Sequence, residues 1–141
     1  AALDGFLKAS LAYKDGMSEQ DYKVRLERDA KTRAQVQKIM ADNRLDVIVY
    51  PLQKRLVVPV PEINQSERNG ILASVTGLPA ITVPAGFSAP TATAPIGVPV
   101  GMDILGKPWG EANLLSIAYS FEQATHFRRP PQSTPALASE Q

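Results

Sequence analysis

Ala73-Ser-Val-Thr-Gly-Leu-Pro-Ala-Ile-Thr-Val-Pro-Ala-Gly-Phe87 and, after a short gap, Gly97-Val-Pro-Val-Gly-Met-Asp-Ile-Leu-Gly-Lys-Pro-Trp109 decide the fold of this chain. Ile71, Leu72 and Val75 predict a short helix over 68–76 that ends at Gly77, a residue suited to a left-handed helix end. Ala80–Val83 is short, apolar and partly β-branched, which reads as a buried strand closed by Pro84. Residues 85–95 are rich in Pro, Ala, Thr and Gly and read as a loop. From Ile96 the chain alternates, with Ile96, Val98, Val100, Met102 and Ile104 on one face and Gly97, Pro99, Gly101 and Asp103 on the other. Pro99 cannot donate to a ladder, so this strand is expected at an edge or bulged there.

Working outward, the clearest helix follows Trp109. Gly110 suits its N-cap, Glu111 its first turn, and Leu114, Ile117, Ala118, Phe121 and Thr125 form one stripe. The run Phe121-Glu-Gln-Ala-Thr-His-Phe-Arg-Arg-Pro-Pro131 places His126, Arg128 and Arg129 at the negative dipole end, and the prolines end the helix. Upstream, Val47–Tyr50 is a continuous β-branched run stopped by Pro51, the pattern of a strand buried on both faces. Residues 52–67 lack a period and read as a loop. Residues 19–42 carry Tyr22, Leu26, Ala30, Val36 and Met40 near one face of a helix, with Lys23, Glu27, Arg28, Lys31, Arg33 and Lys38 on the other. Ser18 with Asp21 marks its start, and Asn43 is expected to close it in the left-handed conformation. Leu3, Phe6, Leu7 and Leu11 predict a first short helix, broken at Lys14-Asp-Gly16.

The 141 residues suffice for one domain with a core. An apolar fraction of 44%, a charged fraction of 21% and a net charge of +1 are ordinary for a globular protein and give no field that draws nucleic acid. The 12 prolines gather between Pro51 and Pro135, which predicts short strands and long loops there. No cysteine is present, so disulfides, thiolate nucleophiles and zinc–thiolate sites are excluded. With one histidine, no transition-metal site is expected. No apolar run has the length of a membrane span, and Ala1-Ala-Leu-Asp-Gly5 has no signal-peptide pattern. The start without Met fits a processed chain or a fragment. Residues 132–141 are expected to be a disordered tail.

Three elements carry a resemblance in the right order: Thr76-Gly-Leu-Pro-Ala-Ile-Thr-Val-Pro84, the Gly106-Lys-Pro-Trp109 start of the last helix, and that helix itself. Over residues 20–131 the chain resembles the C-terminal part of the amidase signature family, serine hydrolases that cut C–N bonds of carboxamides. The resemblance implies an α/β fold, with residues 1–131 as the C-terminal segment of a mixed-sheet amidase domain with flanking helices. It also implies a cytoplasmic enzyme without a cofactor. Catalysis in the family uses a Ser nucleophile, a second Ser in a cis peptide, and a Lys that must be neutral to take a proton. This sequence has no Ser-Ser pair, no Gly-Gly pair and no Gly-rich turn to furnish oxyanion donors. In the family those parts lie upstream, so no catalytic residue is assigned here and the chain alone is expected to be inactive.

The resemblance implies a substrate-binding role for Glu67, ten residues before Gly77, and for Asn69. The loop from Leu52 to Glu67 lies beyond the carboxyl end of a predicted strand, where ligands of open α/β sheets bind. Leu52, Glu67 and Asn69 are therefore the candidate substrate-binding residues. The alternative reading makes Glu67 and Asn69 surface or capping residues at the start of the short helix, and acids at helix N-termini favour it for Glu67. Lys54 with Ser66 or Ser74 is a Ser–Lys pair in composition only, since geometry identifies such sites. His126 reads as a cation at a helix end rather than a base. Asp103 departs from the family, which usually has Gln or Glu there, and Leu52-Gln53 departs where a Thr commonly follows the proline. The expected partners are the upstream amidase portion or a second copy of the chain, with a small amide substrate bound only when the enzyme is complete. The alternative is a non-catalytic, truncated interaction module.

Overall fold

The structure, a computed structural model, describes residues 2–12, 18–62 and 64–131. The predicted tail and the Lys14–Gly16 break lie outside the described residues. The elements run α1 (Ala2–Ala12), α2 (Glu19–Asp42), β1 (Val47–Pro51), α3 (Ile71–Thr76), β2 (Ala80–Phe87), β3 (Pro99–Gly106) and α4 (Glu111–Thr125). The fold is α/β, with a small antiparallel sheet in the order β1-β3-β2 among the described residues.

The helix ends follow the sequence signals. At the start of α2, the Ser18 hydroxyl accepts from the Asp21 N–H at 3.1 Å and donates to the Asp21 carboxylate at 2.7 Å. At its end the left-handed residue is Arg44 (φ 52°), not Asn43 (φ −99°). The Asn43 side-chain amide bonds back to the Ile39 carbonyl, keeping Asn43 on the helical side. The chain then closes with Arg44 N–H on the Ala41 carbonyl and Leu45 N–H on the Met40 carbonyl, the double bond pattern of a Schellman end. Gly77 closes α3 at φ 61°, as expected.

Two clusters sandwich the sheet. Val36, Met40, Leu78 and Leu105 form one, with Ile48, Tyr50, Leu72 and Ala73 packed against it from the sheet and α3. Val83, Ile104, Leu114 and Ala118 form the other, beneath α4, with Ile117 and Phe121 partly buried beside them. The α4 stripe is therefore as predicted. In α2 only Val36 and Met40 of the predicted stripe are buried, while Tyr22 and Leu26 are half exposed. The sheet reaches only the C-terminal half of that helix.

Strand placement departs from the sequence reading in three ways. The strand expected at an edge or bulged at Pro99, β3, is the middle one, pairing with β1 from Val47↔Gly106 to Pro51↔Met102 and with β2 from Ala80↔Leu105, with a register shift opposite Val100 and Gly101. Pro99 is compatible because it is the first residue of the strand, where its missing donor disrupts little of the ladder. The run Val47–Tyr50, expected to be buried on both faces, lies at one side of this sheet, and Val49 is 54% exposed because α4 packs on β2 and β3. Pro84 does not end β2. The strand passes through a bulge between Pro84 and Gly86 and continues to Phe87.

Candidate functional site

The loop after β1 is not irregular throughout. Leu52 N–H prolongs the ladder by donating to the Gly101 carbonyl at 3.2 Å. The chain then leaves the sheet and comes back alongside itself. Lys54 N–H donates to the Glu67 carbonyl at 3.0 Å, Asn69 N–H donates to the Leu52 carbonyl at 2.9 Å, and Gln53 bridges Arg68. The Asn69 side-chain amide also donates to the Pro51 carbonyl at 2.8 Å. Inside the loop, Gln65 accepts from the Val58 N–H at 2.9 Å, and Arg55 reaches Ser66 and Glu62, each at 3.3 Å. A clasp at the mouth and these inner bonds tie the described residues of the loop to one another.

Leu52 stands where the limbs meet. It lines a cleft of about 440 Å³ with Lys54, Val57, Pro99 and Gly101, and a second of about 510 Å³ with Arg68, Gly70, Ile71 and Ser74. Its side chain runs between two glycines. A Cβ on Gly70 would come within 3.3 Å of Leu52, and one on Gly101 within 3.2 Å of Thr82 and 3.8 Å of Leu52. The mixed apolar and polar lining suits a small organic molecule with one or two hydrogen-bonding groups.

The structure thus brings Leu52 and Asn69 together at one end of the sheet. Glu67 enters the clasp through its backbone; its side chain is exposed and its φ is 61°. Asn69 is not the side-chain cap of α3, whose N-cap is Gly70 without a side-chain bond. Ser66 bonds Arg55, Ser74 borders the second cleft, and no hydrogen bond joins Lys54 to either serine among the described residues. Thr76 bonds the Leu72 carbonyl of its own helix at 2.8 Å. His126 is the exposed left-handed C-cap of α4 (φ 49°), with its N–H on the Glu122 carbonyl. Among the described residues no group of His, Asp and Glu gathers to hold a metal, and no helix is long and apolar enough to cross a membrane.

One feature was only half legible. Tyr50, Asp103 and Thr82 are in register across the three strands. Asp103 is 5% exposed and accepts from the Thr82 hydroxyl at 2.5 Å. The Tyr50 hydroxyl is buried with no partner among the described residues. Burial, and secondly the Asp103 charge, push the Tyr50 phenol above its ordinary value. In the sequence, an Asp on the polar face of an alternating strand signals solvent; only the strand order reveals that both of its neighbours are polar.

Residues 5–115 match the family model described as Amidase. The chain is 33% identical over 130 residues to a glutamyl-tRNA(Gln) amidotransferase subunit from Moorella thermoacetica, covering 89% of this chain and 25% of that one. It is 42% identical over 66 residues to the protein of the same name from Desulforudis audaxviator, covering 46% of this chain and 12% of that one. Among solved structures, an amidase family protein from Bacillus anthracis superposes with a TM-score of 0.63 at 25% identity, over 84% of this chain and 20% of that one. The chain spans a quarter or less of the length of these relatives.

Proposed function

The chain belongs to the amidase family, and from that premise we propose that it supplies one wall of the substrate cleft of a serine hydrolase of carboxamide C–N bonds, whose nucleophile and base come from outside this chain. The observation that carries the reading is Leu52, set between Gly70 and Gly101 and shared by two clefts at the end of the sheet. Clefts lined by apolar side chains with a few convergent polar groups are where small ligands bind. Leu52 supplies apolar contact, and Asn69 fixes the mouth of the loop and keeps a carbonyl oxygen to offer. Glu67, exposed beside them, sets a negative charge at the rim.

The chemistry is acyl transfer. A serine attacks the amide carbonyl, the amine leaves with a proton from the base, and water releases the acyl group. This chain contributes binding and orientation to those steps, not proton transfer. The curated relatives are subunits of glutamyl-tRNA(Gln) amidotransferases, which supports a cytoplasmic amidase working beside a partner chain. The test is the acyl-size preference of the completed enzyme. Leu52→Ala should shift kcat/KM toward bulkier amides by about tenfold, the scale of one or two methylenes in an apolar pocket. An unchanged preference would remove Leu52 from the site.

One observation favours the second reading, a non-catalytic interaction module. Leu3, Phe6 and Leu11 of α1 are each at least 70% exposed, an apolar face that needs a cover. A purified chain that remains a monomer and binds no hydrophobic dye would count against it.

A further inference from the structure

We propose that Asp103 is the acceptor for a cationic side chain that the rest of the amidase carries across the outer edge of β2, an inference that rests on the amidase reading above. Asp103 is 5% exposed on the middle strand, and its one hydrogen bond among the described side chains comes from Thr82. No Lys, Arg or His among the described residues pairs with it. A buried carboxylate held by a single neutral donor is costly, and proteins compensate such groups with a cation or further donors.

The direction of approach follows from the sheet. On the β1 side Tyr50 offers a hydroxyl that is itself buried and unpartnered. On the β2 side Thr82 is exposed, and β2 has no further neighbour among the described residues. A hydroxyl has one proton and two lone pairs. Thr82 gives its proton to Asp103, so its lone pairs accept from whatever approaches that edge. The carboxylate polarises the hydroxyl and makes it a stronger acceptor. A lysine or arginine entering beside Thr82 therefore meets two acceptors, the Thr82 oxygen and the Asp103 carboxylate.

The test compares signs. In the isolated chain Asp103→Asn removes an uncompensated buried charge and should raise the melting temperature; in the completed enzyme the same change breaks an ion pair and should lower it. The same sign in both would overturn the proposal. A second experiment supplies the cation within the chain. By strand alternation Ala80 shares a face with Thr82, so Ala80→Lys places an ammonium beside it. Its effect on the folding equilibrium should be at least about threefold more favourable with Asp103 than with Asn at that position. Equal effects in both backgrounds would contradict a cation-seeking carboxylate at this edge. Millimolar methylammonium chloride, compared with potassium chloride, separates the occupants. Stabilisation of the Asp103 form by methylammonium alone would mean a small cationic ligand and would overturn the side-chain assignment. None of these measurements needs turnover, so an inactive completed enzyme would fail the amidase reading without altering their outcome.

Discussion

The side-chain amide of Asn69 donates to the carbonyl oxygen of Pro51 at 2.8 Å, tying a residue two positions before α3 to the end of β1. With Asn69 N–H on Leu52, this bond closes the loop whose mouth Leu52 occupies. The loop is thus held at its two ends by these bonds, and inside by Gln65 on Val58 and Arg55 on Ser66 and Glu62.

Asn69→Ala should therefore destabilise the chain by about 1 kcal/mol, the net worth of one hydrogen bond. Asn69→Asp, which sets an acceptor-only carboxylate against that carbonyl, should cost at least as much. The check is the midpoint of chemical denaturation. An effect near zero with altered substrate selectivity in a completed enzyme would make Asn69 a binding group and not a brace.

The helix α4 should anchor the sheet through one face. Leu114 is 4% exposed, and Leu114→Ala should cost about 2–5 kcal/mol. Phe121 is only partly buried, in contact with that cluster and with the Phe127 ring at 6.2 Å, so Phe121→Ala should cost less than the roughly 3–5 kcal/mol of a fully buried ring. Glu122, exposed, should change by no more than about 0.5 kcal/mol when replaced by Ala. Similar losses at 121 and 122 in thermal unfolding would mean that the face is misassigned.

Gly77 ends α3 at φ 61°, and its Cβ would meet only Arg33 at 3.6 Å. Gly77→Ala should then cost about 1–2 kcal/mol from backbone strain, with little from crowding. A neutral result in calorimetry would show that the helix end relaxes.

Alkaline pH should act through Tyr50. Its folded-state phenol titrates above the ordinary 10.0, so the folded chain holds the proton more tightly than the unfolded one. This favourable contribution is complete below pH 10.0 and is lost as pH rises through that value toward the folded pKa. Tyr50→Phe should flatten the fall in stability above pH 10.0 relative to the parent chain. Parallel stability curves for the two proteins would contradict the burial of the hydroxyl.

Local signals in the sequence were readable where one residue decides the outcome. Ser18 starts α2, Gly77 ends α3, and the α4 stripe buries Leu114 and Ala118, all from short-range chemistry. Strand order was not readable, because the neighbours of a strand depend on distant segments. Val47–Tyr50 has an inner-strand composition yet borders this sheet, and the Pro99 strand has an edge signal yet lies between two others. The same limit hid the Tyr50–Asp103–Thr82 file, whose members are far apart in sequence and meet only through register. For the candidate site, the sequence marked Leu52, Glu67 and Asn69. The clasp that joins Leu52 to Asn69 rests partly on backbone bonds, which leave no mark in residue type, and partly on the Asn69 amide, whose acceptor lies 18 residues back in the chain.

The proposal that this chain shapes an amidase cleft without itself cleaving is tested most directly by the rate of aryl-amide hydrolysis by the purified chain, alone and then joined to an upstream amidase portion. The expected result is no turnover alone, since loss of nucleophile and base costs on the order of 10⁶ in rate, and turnover once joined. Hydrolysis by the chain alone that disappears on replacing Ser66 or Ser74 with Ala would contradict it.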